Sequence, residues 1–120
     1  MNLYEVYRGM DFRRRWYSTS SWEWSDHDDF LSKYGPDTNV EAFSTFNSIL
    51  GFFEGVGMLV RRGYVELDLV EDLLDIPADV IWEKFKDIVY SSRQKRNWPQ
   101  LFANYEYLIQ ELGKRKKVIQ

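Results

Sequence analysis

The chain carries one histidine, His27, inside the acidic run Asp26-His27-Asp28-Asp29, and it contains no cysteine. Those two facts close most site chemistries. A Ser-His-Asp or Cys-His nucleophile system needs an imidazole beside the nucleophile, and a lone His leaves no ordinary version of either. A di-iron bundle takes a Glu-x-x-His pair from each of two helices, which one His cannot supply. Thiolate metal sites and disulfides are excluded outright. The run at Asp26 to Asp29 could touch an ion, but a solvated acidic loop accounts for it better, so no metal or other cofactor is expected. No Walker-type or dinucleotide loop occurs, because Gly51, Gly55 and Gly57 lie inside a helical pattern. With nineteen acidic residues, chance carboxylate pairs carry little weight.

Four residues stay of interest: Glu54, Arg93, Glu106 and Trp98. Glu54 is the one charge in the most apolar stretch, Ile49 to Val60. A partly buried carboxylate needs a compensating charge or hydrogen bonds. Arg61 sits two turns along the same edge, and Arg93 is the better long-range partner, because guanidinium can meet a carboxylate with two parallel hydrogen bonds. Glu106 flanks the apolar stripe of the last helix and could join the same network. The group reads as a polar clasp fixing three helices, or alternatively as a pocket in which Glu54 and Arg93 bind a small polar ligand. Basic clusters occur at Arg13 to Arg15, at Arg93-Lys95-Arg96 and at Lys114 to Lys117. They read as solvated helix ends, where cations suit the dipole, or as a phosphate-binding surface with Trp16 or Trp98 stacking on bases.

The elements that hold these residues are helical. The 120 residues are 44% hydrophobic and 29% charged, a globular balance, and 18% aromatic, with five Trp, eight Tyr and eight Phe. Each aromatic side chain removes roughly 150–250 Å² from water, which helps a short chain build a core. Residues 2–17 read as a first helix with Leu3, Val6, Tyr7, Met10 and Tyr17 on its apolar face. A short helix opens at the acidic run and ends in the turn Tyr34-Gly35-Pro36-Asp37. Thr38-Asn39-Val40-Glu41 fits a capping box that starts the central helix, which runs to about Arg62 with Gly63 as its left-handed cap. Its face of Phe46, Ile49, Leu50, Phe53, Val56, Gly57 and Val60 is broad. The opposite row, Ser44, Ser48, Gly51 and Gly55, is small enough for another backbone to pack close. Tyr64 to Leu74 forms a short helix. Pro77 opens the next, with Ile81, Trp82, Phe85, Ile88 and Val89 inward, and the polar run Ser91 to Asn97 ends it. Pro99 opens the last helix, and Gly113 stops it before a basic tail at 113–120. The expected fold is all-α, a compact single-domain bundle of about five to six helices over residues 1–120, built around a central helix near residues 38–62.

In the second half, Phe52-Phe53-Glu54-Gly55-Val56-Gly57, Arg62-Gly63-Tyr64-Val65, Trp82, Arg93 with Arg96, and Phe102-Ala103-Asn104-Tyr105-Glu106-Tyr107-Leu108 follow in order. Over roughly residues 40–112 the chain resembles an uncharacterised helical family, a domain of unknown function whose members often follow membrane segments. The resemblance implies an all-helical fold and no established activity.

A net charge of −3 argues against a whole-domain nucleic-acid binder. Residues 2–17 are interrupted by charges and do not read as a signal peptide. Ile49 to Val60 is shorter than the roughly 20 apolar residues that cross a bilayer, so no membrane span is expected. The expectation is a cytoplasmic, non-enzymatic protein-interaction or oligomerisation domain, with a protein partner or a second copy of itself. The alternative is a nucleic-acid- or phosphate-binding module that uses the basic clusters.

Overall fold

A computed structural model of the chain describes residues 12–73 and 78–119. Six helices follow one another: α1 Phe12–Ser18, α2 His27–Tyr34, α3 Val40–Arg61, α4 Leu67–Leu73, α5 Ala78–Lys95 and α6 Ala103–Ile119. No strand occurs among the described residues, and the fold is all-α.

The start of α2 is set by the acidic run. Asp26 caps it, accepting from the Asp29 amide at 2.8 Å, and Asp28 and Asp29 lie in the first turn, where negative charge suits the helix dipole. The central helix does not begin with the expected capping box. The Thr38 hydroxyl donates instead to the Leu31 carbonyl at 2.7 Å, closing the end of α2. Asn39 becomes the cap of α3 and accepts from the Ala42 amide. The far end matches expectation. Gly63 has φ +78°, its amide bonds to Val60, and the Tyr64 amide reaches back to Leu59, the paired bonds of a Schellman motif.

Seven residues of α3 are buried: Phe46, Ile49, Leu50, Phe52, Phe53, Val56 and Gly57. Aromatic side chains fill the space around them in two groups. Trp22 stacks on Tyr34 at 4.2 Å, and Trp24 stacks on Phe85, with Phe30 and Phe46 edge-on beside them. On the other side Phe12 meets Phe52 and Phe53, and Tyr105 lies between Phe53 and Trp82. Tyr105 is fully buried, and its hydroxyl donates to the Ala78 carbonyl at 2.7 Å.

Several expected boundaries and faces shift. Phe12, not Tyr17, is the buried anchor of α1, and Tyr17 is 60% exposed. Leu3, Val6, Tyr7, Met10, Leu74 and Pro77 lie outside the described residues. Among the described residues the small row Ser44, Ser48, Gly51 and Gly55 does not receive another backbone, for none of them lies within 4 Å of where a Cβ would stand on Gly51 or Gly55. The close approach is at Gly57, within the apolar face, where a Cβ would come 2.0 Å from the Asn104 carbonyl oxygen. The start of α6 packs there, and α3 and α6 form the most extensive helix pair among the described residues. The polar run Ser91 to Asn97 does end α5, whose last helical residue is Lys95. Pro99 lies in a turn, and α6 begins only at Ala103. Gly113 lies inside α6. An interior glycine weakens a helix by roughly 1 kcal/mol, and the next turn is held by Lys114 with Glu111 and by Arg115 with Asp68 and Glu71.

Candidate functional site

Three of the four residues singled out in the sequence, Glu54, Arg93 and Glu106, make contacts around the start of α6, but not in the expected pairs, and Trp98 stands apart from them. Glu54 of α3 is not joined to Arg93. Its Oε1 accepts from the Tyr105 amide and its Oε2 from Asn104 Nδ2, both at 2.9 Å. Tyr105 is the third residue of α6, and its amide is one of the donors that a helix leaves open. Phe102, in the cap position, has no side-chain acceptor, so Glu54 caps α6 from a neighbouring helix. Arg93 bonds to Glu106 through Nη1 at 2.9 Å and to the Leu101 carbonyl through Nε at 2.8 Å. Tyr90 donates to the second Glu106 oxygen, and burial, with Glu106 beside it, raises the Tyr90 pKa. Arg61 lies over the Tyr107 ring at 4.5 Å rather than beside Glu54. Trp98 is 47% exposed, with the Arg96 guanidinium over its ring.

These bonds shape the connection 96–102. Asn97 and Phe102 are both left-handed, with φ of +50° and +55°. For a residue as bulky as Phe this backbone is strained, at roughly 1–2 kcal/mol. It is held from both sides, by Arg93 on Leu101 and by Glu54 on Tyr105.

The connection forms one wall of a cavity of about 300 Å³ between α2, α3 and α5. Its inner surface is apolar: Phe30 and Leu31 from α2, Phe43 and Phe46 from α3, Ile88 and Val89 from α5, and Leu101 and Phe102 from the connection. Its polar lining comes from His27, Asn47, Ser92, Lys95 and Arg96. His27 Nδ1 lies 2.6 Å from the Ser91 hydroxyl. Burial first, and then Lys95, hold its pKa below the ordinary histidine value. Lys95 pairs with Asp28 at 3.2 Å.

The acidic run that contains His27 is engaged elsewhere. Asp26 caps α2, and Asp29 accepts from the Ser25 amide and pairs with Lys33. The Ser25 amide is the first cause of its lowered pKa. Among the described residues no three metal-ligating side chains are gathered.

The outer face of α3 is a second feature. Glu41, Ser44, Ser48, Gly51, Gly55, Met58 and Arg62 repeat at spacings of three and four, and all are exposed or half-exposed. By length and composition α3 is apolar enough to cross a membrane, and it gives its large side chains to the chain's own core.

A family model described as a domain of unknown function (DUF4760) matches residues 11–112. The chain belongs to this family. The DUF4760 match takes in α1 and α2 as well as the region from residue 40 onward. It therefore includes Phe12, the acidic run, the α6 cap and the whole cavity lining. No curated protein and no solved structure matches this DUF4760 chain.

The sequence exposed Glu54, Arg93, Glu106 and Trp98 through charge in apolar surroundings and through aromatic type. It missed the cavity, whose lining comes from four separate segments. It also missed Phe102, for nothing in the residue type announces a left-handed backbone.

Proposed function

We propose that this domain is a non-enzymatic, cytoplasmic homo-oligomerisation module in which two copies pair through the outer faces of their α3 helices. The observation that carries this reading is the exposed seam Glu41, Ser44, Ser48, Gly51, Gly55, Met58 and Arg62. Its three-four spacing is that of helices packed side by side. Its middle is small, so two backbones can approach to the short end of the roughly 8–10 Å range for packed helices. Its two ends carry opposite charge. An antiparallel pairing about Gly51 sets Glu41 of one copy near Arg62 of the other and Ser48 near Gly55, so the surface is complementary to itself, as a two-fold interface requires.

A cytoplasmic setting agrees with a chain that needs no disulfide and whose most apolar helix serves its own core. Nucleic acid is not the expected partner, since the net charge is −3. Two members of the Arg93 to Arg96 cluster are already paired with carboxylates.

Sedimentation equilibrium tests the pairing. The wild-type chain should associate to a dimer. Gly51→Leu should be monomeric and, against the wild type under dissociating conditions, should keep or raise its Tm, because an exposed helical glycine costs roughly 1 kcal/mol. A wild-type monomer at every concentration, or a Gly51→Leu variant that dimerises as the wild type does, would refute it.

A further inference from the structure

We propose that the cavity between α2, α3 and α5 binds a small amphipathic anion, an aromatic or short acyl body that carries a carboxylate or phosphate. The site is distinct from the α3 seam and stands or falls separately from it. Its volume of about 300 Å³ lies at the lower end of the roughly 300–1,000 Å³ range of small-molecule sites, which suits one ring system or a short chain. Phe43 and Phe102 are half-buried and give the body an aromatic surface, with Phe30 and Phe46 buried behind them.

The charge of the lining selects the head group. Its ionisable residues are His27, Lys95 and Arg96, all bases, in a chain whose net charge is −3. Among the described residues no carboxylate pairs with Arg96, whose guanidinium rests on Trp98. Among the described residues Lys95 pairs only with Asp28, whose side chain is 88% exposed, so a ligand anion can share or replace that contact. His27 and Ser92 add hydrogen-bonding groups to the same lining.

The backbone gives an independent pointer. Phe102, part of the wall, is a bulky residue in the left-handed region. Strain of this kind persists where surrounding contacts enforce it, and it gathers at ligand clamps. Here Arg93 and Glu54 enforce it from either side, and the result holds the Phe102 wall in place.

Titration of the full chain by ¹⁵N NMR tests the assignment. The probes are 1-naphthoate and phenyl phosphate, with 1-naphthalenemethanol and inorganic phosphate as controls. Saturable shifts of the Leu31, Ser92, Arg96 and Phe102 amides with at least one amphipathic anion are expected, and the tighter of the two identifies the head group. Neutral alcohol and inorganic phosphate should each bind about tenfold more weakly or worse, and Arg96→Gln should weaken the anion by about tenfold, or 1.4 kcal/mol. Arg96 is exposed, so that variant keeps the fold, which its unperturbed spectrum verifies. The proposal is overturned if neither anion saturates, if the shifts centre on another surface such as Trp22 and Trp24, if the alcohol binds as tightly as naphthoate, or if Arg96→Gln binds unchanged.

Discussion

Glu54 shows how one side chain can act on a helix other than its own. Its carboxylate sits where the first turn of α6 presents an open amide and the Asn104 side chain, and negative charge there also suits the dipole of that helix. Arg93 and Glu106 make a separate contact a few residues away, with Tyr90 on the second oxygen. The sequence indicated that Glu54 needs partners but not which ones, since a backbone amide leaves no trace in residue type. Removing the acceptor by Glu54→Ala should cost about 1–3 kcal/mol, the usual penalty for leaving a buried donor without its partner. In double-mutant cycles read by urea denaturation, Arg93→Gln and Glu106→Gln should couple by at least roughly 0.5 kcal/mol. Glu54→Gln and Arg93→Gln, which share no partner, should add to within about 0.5 kcal/mol. The reverse pattern would mean that the two contacts are one network.

At the scale of elements, the central helix was legible because its signals agree. A broad apolar face, a polar start and a glycine stop all point to one helix, and α3 runs within two residues of the expected limits. Where signals compete, the sequence misled. Thr38 can cap α3 or close α2, and its hydroxyl takes the second task. Pro99 and Gly113 are common at helix ends, yet one lies in a turn before α6 and the other inside it. The glycines carry the sharpest contrast. Gly51 faces open space, whereas Gly57 sits against the Asn104 carbonyl. Gly57→Ala should therefore destabilise the domain by about 1–3 kcal/mol, the usual cost of overpacking. Gly51→Ala should leave the fold as stable or stabilise it by up to about 1 kcal/mol. Thermal denaturation of the two variants under dissociating conditions separates them, and equal effects would contradict the packing described.

At the scale of the molecule, the helical class and the central place of α3 follow from periodicity, and the abundance of aromatics follows from the need to fill a core around one helix. The cavity does not follow, since its lining draws on residues from His27 to Phe102. The small row on α3 is visible in the sequence and suggests packing inside the domain. In the structure the core forms on the other side of the helix, and the row is left facing outward. That outward face carries the proposed pairing, and the absence of cysteine from the chain allows a direct measurement. Single-cysteine variants Gly51→Cys and Ser44→Cys can be oxidised and resolved by non-reducing electrophoresis. In an antiparallel pair centred on Gly51, the two copies of residue 51 face each other, while the two copies of residue 44 stand about 21 Å apart along the helix axis at 1.5 Å per residue. That separation is far beyond disulfide reach, for which Cα atoms must approach to roughly 4.4–6.8 Å. Pairing through α3 should give a cross-linked dimer for Gly51→Cys and none for Ser44→Cys. No cross-link at residue 51, or equal cross-linking at both positions, would contradict it.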